Sequence, residues 1–176
     1  MSVPVEGAVS AGGFTKVVTA GFTRPANVTA YTAADVVSNS ATLTSILVFE
    51  GCARVPGGTG LLYSALMFDS VDAATNPNFD LVLFDNPNIT LAADNAAGTV
   101  TDSELLGVVA VITFDGTTAA NVSTVGPNLI IGAAQIGQAF KCASNTRDLY
   151  GVVIDRGGYT PASAERFDFK LVILQD

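Results

Sequence analysis

Two kinds of side chain in this sequence could do chemistry, carboxylates and thiols. Asp69 and Asp72 flank one turn, and Asp80 and Asp85 flank one apolar run. Paired carboxylates about 5–10 Å apart can run glycoside hydrolysis, and oxygen ligands of this kind can hold Ca²⁺. Sixteen acidic residues on one small chain create such pairs by accident. There is no D-x-D-x-D-G loop, and no Trp to form a sugar platform. Histidine is absent, which removes Ser–His and Cys–His nucleophile pairs and the commonest metal ligand. Cys52 and Cys142 stand far apart, with no C-x₂-C pair to suggest zinc. They read as two buried thiols, with a disulfide as the alternative in an oxidising exterior. No phosphate-binding glycine loop and no G-x-S-x-G occurs. Neither an enzymatic role nor a metal or other cofactor is therefore expected.

Charge narrows the partners. With 16 acidic and 8 basic residues the chain carries −8, and its basic residues are scattered singly. Counterion-release binding needs clustered Lys and Arg, so neither nucleic acid nor an acidic membrane is an expected partner. No apolar run approaches the roughly 20 residues of a membrane span. Met1–Phe14 lacks the basic and apolar regions of a secretion signal, so synthesis in a cytoplasm is expected. Only 14% of residues are charged while 49% are hydrophobic. Typical domains are about 25% charged, so either a β-protein or a subunit covered by neighbours is expected.

The elements point the same way. Lys16–Phe22, Asp35–Ser38, Thr42–Glu50, Gly60–Asp69, Asn78–Asp85, Leu105–Phe114, Leu129–Ile131, Gln138–Cys142, Leu149–Asp155 and Phe167–Leu174 read as strands, separated by Gly, Pro and Asn turns. In the last of them Phe167, Phe169, Leu171 and Ile173 share one face. Leu105–Phe114 is apolar on both faces and reads as a central strand. Thr101 and Glu104 form a capping box for one short helix. The expected fold is all-β, a jelly-roll-like β-sandwich of about eight to ten strands, in which long connections such as Asn86–Asp102 are natural. It occupies residues 14–176 behind a flexible N-terminal arm, residues 1–13. Val3, Val5 and Val9 are the apolar anchors of that arm and the candidate partner-binding residues, suited to adding a strand to an exposed sheet edge. Leu61–Phe68, apolar on both sides apart from Ser64, points to self-association through strand faces.

Three stretches carry a resemblance. Phe22–Asn39 reads FTRPANVTAYTAADVVSN, Leu81–Val109 reads LVLFDNPNITLAADNAAGTVTDSELLGVV, and Leu149–Phe169 reads LYGVVIDRGGYTPASAERFDF. They resemble the opening, middle and closing stretches of the tailed-phage capsid decoration (cement) proteins, small structural proteins found beside phage major capsid genes. The resemblance spans most of Phe22–Leu174. It implies a virion protein on the capsid exterior, a jelly-roll-like sandwich that is commonly a trimer, with the major capsid protein as partner. A fibre or adhesin module that binds a receptor or glycan is the alternative, with Tyr31, Tyr63, Tyr150 and Tyr159 as a possible sugar-binding surface. Those tyrosines otherwise sit at core edges with each hydroxyl reaching a partner.

Overall fold

The computed structural model describes residues 13–42, 45–71, 75–121, 129–133 and 136–176. Strand-forming alternation produces two antiparallel sheets. The first holds β1 (Phe14–Thr23), β11 (Arg166–Gln175), β4 (Thr59–Asp69), β8 (Leu129–Ala133) and β7 (Ala120–Asn121) in that order, with β9 (Gln138–Lys141) also on β4. The second runs β2 (Val36–Val37), β10 (Leu149–Asp155), β5 (Phe79–Phe84) and β6 (Val108–Phe114), with β3 (Leu47–Phe49) also on β10. β8 and β9 follow one another along one edge of β4, as β2 and β3 do along β10.

The pairs nest. β1 lies on β11, β2 and β3 on β10, β4 on β8 and β9, and β5 on β6. A chain doubled back on itself and rolled into two sheets gives this order, which is that of a jelly roll. The expected all-β sandwich is thus the observed fold.

One core fills the space between the sheets. Phe167, Phe169, Leu171 and Ile173 project from β11 and are fully buried. Facing them are Phe79, Leu81 and Leu83 of β5 and Ile112 and Phe114 of β6. Phe79 meets Phe167 edge-on at 5.1 Å between ring centroids, a favoured aromatic geometry. A bulge at Tyr63, between the Val172–Ser64 and Ile173–Leu62 pairs, re-phases β4. Both halves of β4 therefore direct Leu62, Ala65 and Met67 inward.

Two expectations are corrected. Leu105–Phe114 does not form a central strand. β6 is the last strand of its sheet, and Val111 on its outer face is 57% exposed. Its double apolar character has another cause, because Val108 packs into a second apolar cluster on the outside of that sheet. Within Thr42–Glu50 only Leu47–Phe49 pairs as a strand among the described residues. β2 has already taken the other half of the same β10 edge. The capping box is as expected. Thr101 caps α1 (Asp102–Leu105), and Glu104 returns the bond.

Candidate functional site

Of the carboxylates singled out for chemistry, the three described ones are each engaged by separate partners. Asp69 is buried at the end of β4, where Oδ1 accepts the Val71 N–H at 2.9 Å. Asp72 lies outside the described residues. Asp80 is held by Arg156 at 3.0 Å and by the Thr113 hydroxyl at 2.6 Å. Asp85 accepts from the Asn86 side chain at 2.7 Å. Among the described residues no group of three or more His, Cys, Asp or Glu is placed to hold a metal ion. Cys52 and Cys142 are free and buried. Burial pushes the Cys52 thiol up to about 12 and that of Cys142 up to about 11, the reverse of an activated nucleophile.

The principal polar cluster is one that sequence reasoning missed. After β1 the chain turns through Arg24 and Pro25, and the Arg24 side chain points into the end of the sandwich, where it is 2% exposed. Its Nη2 donates to Asp94 Oδ2 at 3.0 Å, and its Nε donates to the Tyr31 hydroxyl. Tyr31 in turn donates to Asp94 Oδ1 at 2.6 Å, and the Ser38 N–H donates to the same oxygen at 2.9 Å. Burial, and then the bond to Asp94, raise the Tyr31 hydroxyl far above the usual phenol range, so it stays a donor. Asn95, with φ 58°, occupies the left-handed region that Asn tolerates best among non-glycine residues. Its Nδ2 reaches the carbonyls of Thr29 and Ala30, each at 3.1 Å.

A second pair joins this cluster. Tyr159 stacks on Tyr31 at 6.4 Å and donates to Glu165 Oε1 at 2.5 Å. Glu165 Oε2 accepts the Ala162 N–H at 3.1 Å, and the Glu165 carbonyl accepts the Arg24 N–H at 2.8 Å. Three loops distant in sequence are thereby bolted together. Within this cluster Arg24, Asp94 and Glu165 each have a partner, as a buried charge requires. Arg24, Tyr31, Asp94, Tyr159 and Glu165 are all buried, and their bonds position the loops that carry them.

The outer faces of the two sheets differ. Over the second sheet lies the connection between β5 and β6, whose Ile89, Leu91, Ala92 and Val100 pack on Val36, Phe84, Tyr150 and Val152. Glu104 pins this cover: Oε1 accepts from Thr90 N at 2.6 Å, and Oε2 from Thr101 N at 2.7 Å. These bonds hold its carboxyl down at about 2. Between cover and sheet an apolar pocket of about 260 Å³ remains, lined by Val82, Phe84, Val100, Leu105, Val152 and Ile154 among others. With no charged side chain in its lining, it offers nothing to orient a polar ligand.

The outer face of the first sheet mixes apolar residues with Thr, Lys, Arg and Asp, and has no such cover among the described residues. Val17 and Tyr63 are 50% and 46% exposed on it, and Leu61, Leu66, Phe68, Val172 and Leu174 are half-buried. Of the four tyrosines only Tyr63 is exposed. Tyr31, Tyr150 and Tyr159 are buried with their hydroxyls on Asp94, Thr146 and Glu165. They form no common aromatic platform. Val3, Val5 and Val9 lie outside the described residues. No described helix is long and apolar enough to cross a membrane.

The fold and its bolted loops define the class as a jelly-roll β-sandwich. No protein-family model and no curated protein matches the chain.

Proposed function

We propose that this chain is a structural, non-enzymatic virion protein. It decorates the outside of a phage capsid and cements contacts between capsomers of the major capsid protein. One observation carries the reading. The residues behind the sequence resemblance are those of the buried bolt: Arg24 and Tyr31 from the opening stretch, Asp94 and Asn95 from the middle, Tyr159 and Glu165 from the closing one. Residues spread over the chain meet at one site, where they lock loops. Such a motif marks a shared architecture rather than a shared reaction.

Other features support it. The first sheet offers a broad, partly apolar face, and the acidic balance repels packaged DNA. Many weakly held copies acting together would give avidity on a lattice. In this reading residues 1–13 fasten the subunit, with Val3, Val5 and Val9 supplying apolar contacts.

The test is binding of the purified protein to capsids of the encoding phage, lacking their own decoration. Saturable occupancy at lattice positions in an electron cryomicroscopy map, with a higher capsid disruption temperature, is expected. Absence of binding, or a handful of copies per virion, would overturn the cement reading. Loss of occupancy on deleting residues 2–13, with the domain still folded, would locate the fastener.

A further inference from the structure

We propose that the outer face of the first sheet, uncovered among the described residues, is a self-association surface, on which the same face of a second copy packs. The inference concerns how the chain meets itself and does not require a capsid. It departs from the three-fold association that the sequence resemblance implies.

The strand register places the face. Rows across β1, β11, β4 and its neighbours read Val17–Val172–Ser64, Thr15–Leu174–Leu61–Ala139, Thr19–Lys170–Leu66–Gly132 and Gly21–Asp168–Phe68–Ile130. Four strand positions by about ten residues make a rectangle of roughly 20 by 30 Å, about 600 Å² in projection. A stable interface takes about 800 Å² of accessible surface from each partner, and the corrugation of side chains brings this face close to that value. Its apolar residues, Val17, Leu61, Leu66, Phe68, Val172 and Leu174, lie together among polar ones, and such contiguous apolar groups mark interaction sites.

Shape and charge select the occupant. A flat sheet face is covered fully only by another flat face, as in face-to-face sheet packing. The second sheet of a neighbouring copy offers less, because the β5–β6 connection lies over part of it and leaves Val111 of β6 exposed. The broader surface a second copy presents is the same face, and a contact between two like faces is two-fold and self-complementary. Charge permits it. On a chain with 16 acidic and 8 basic residues, this face carries Lys141, Arg166 and Lys170 against Asp168, with Asp176 at one corner. The strong negative charge that would drive two copies apart lies elsewhere. Lys170 sits 5.9 Å from the Phe68 ring and has no ion-pair partner among the described residues. Asp168, two residues before it on the same face, is already paired with Arg166 at 2.5 Å, so Lys170 is a cation left to meet a partner copy.

The test is the solution mass of the full chain by light scattering at tens of micromolar. A dimer is expected. Leu66→Asp and Val172→Asp, both on the outer face and away from the core, should be monomeric at the same concentration while keeping the wild-type circular dichroism, and their melting temperature should lose the dependence on protein concentration that a dimer shows. Leu106→Asp, at a site 89% exposed elsewhere, should remain dimeric. A monomeric or trimeric wild type, or a dimer indifferent to both face variants, overturns the proposal. A monomer that still fills capsid positions would sink this inference and leave the cement reading standing. A dimer that ignores capsids would do the opposite.

Discussion

Tyr31 and Asp94 stand 63 residues apart in the chain, yet the tyrosine hydroxyl donates to the Asp94 carboxylate at 2.6 Å in a buried site. The same carboxylate takes the Arg24 guanidinium, so its removal orphans a buried cation and a buried hydroxyl together. Breaking a buried ion pair from one side costs about 3–5 kcal/mol. Asp94→Ala is expected to destabilise the fold by that amount in urea unfolding. Tyr31→Phe leaves the ion pair intact and should cost about 1–3 kcal/mol. Equal effects for the two variants would contradict the hub role of Asp94.

Asp155 ends β10 pointing inward at 1% exposure, and neither of its carboxylate oxygens has a hydrogen-bond partner of good geometry. Burial raises its carboxyl to about 6; the Gly157 N–H lowers it in part, and the charge of Asp35 adds to the rise. Between about pH 4 and 6 the folded protein holds a proton that the unfolded chain has released. Stability from this group is therefore present below that window and lost as pH rises through it. Asp155→Asn should stabilise the protein at pH 7.5 by at most about 3 kcal/mol and change little at pH 4. The difference between variant and wild-type unfolding curves at the two pH values isolates this group from the other carboxylates. A constant difference would refute it.

Gly151 faces inward on β10, and there is no room there for a side chain. A Cβ would stand 2.9 Å from Leu81 Cδ1 and 3.0 Å from Phe49 Cε2. Overpacking of this kind costs about 1–3 kcal/mol. Gly151→Ala should lower the melting temperature accordingly, and Gly151→Val should lower it further. A neutral Gly151→Ala would show that Leu81 and Phe49 can give way.

Both thiols should be silent in the folded protein. With Cys52 at about 12 and Cys142 at about 11, thiolate is scarce at pH 8, and burial blocks access as well. Labelling by a thiol reagent is expected to be at least about 100-fold slower in the native protein than in urea. Two thiols should be titrated once it is unfolded. Recovery of fewer than two would mean that the pair oxidises.

Features with a local cause were legible in the sequence. The β11 alternation and the Thr101–Glu104 box need only neighbours within a few residues, and both stand as expected. Features whose cause lies across the chain were not. Leu105–Phe114 reads as central because its outer face is apolar, but a connecting segment and not a further strand covers part of that face. Arg24 reads as a lone surface cation, since its partner Asp94 is 70 residues away. The signals available were an arginine fixed ahead of Pro25 and an Asp-Asn pair in a loop; neither names the other. That Glu104 also holds Thr90 is likewise invisible to a local pattern.

The nesting of the strands has a kinetic consequence. β1 pairs along its whole length, Phe14 with Gln175 through Thr23 with Arg166, and β11 is its one strand partner among the described residues. β1, the earliest of the described strands to be synthesised, therefore waits for β11, the latest of them. At about 5–20 residues per second, Phe22 and Val18 stay without their sheet for some ten seconds or more. Pairings at such sequence separation close slowly in any case. The β5–β6 hairpin at the middle of the chain is the pair that can form first, and closure would then spread outward from it. The product of an interrupted synthesis would expose the inner face of β4 rather than a smaller stable domain. A cell making this protein in quantity needs chaperone capacity or rapid completion of each chain, and truncated forms should be found in aggregates.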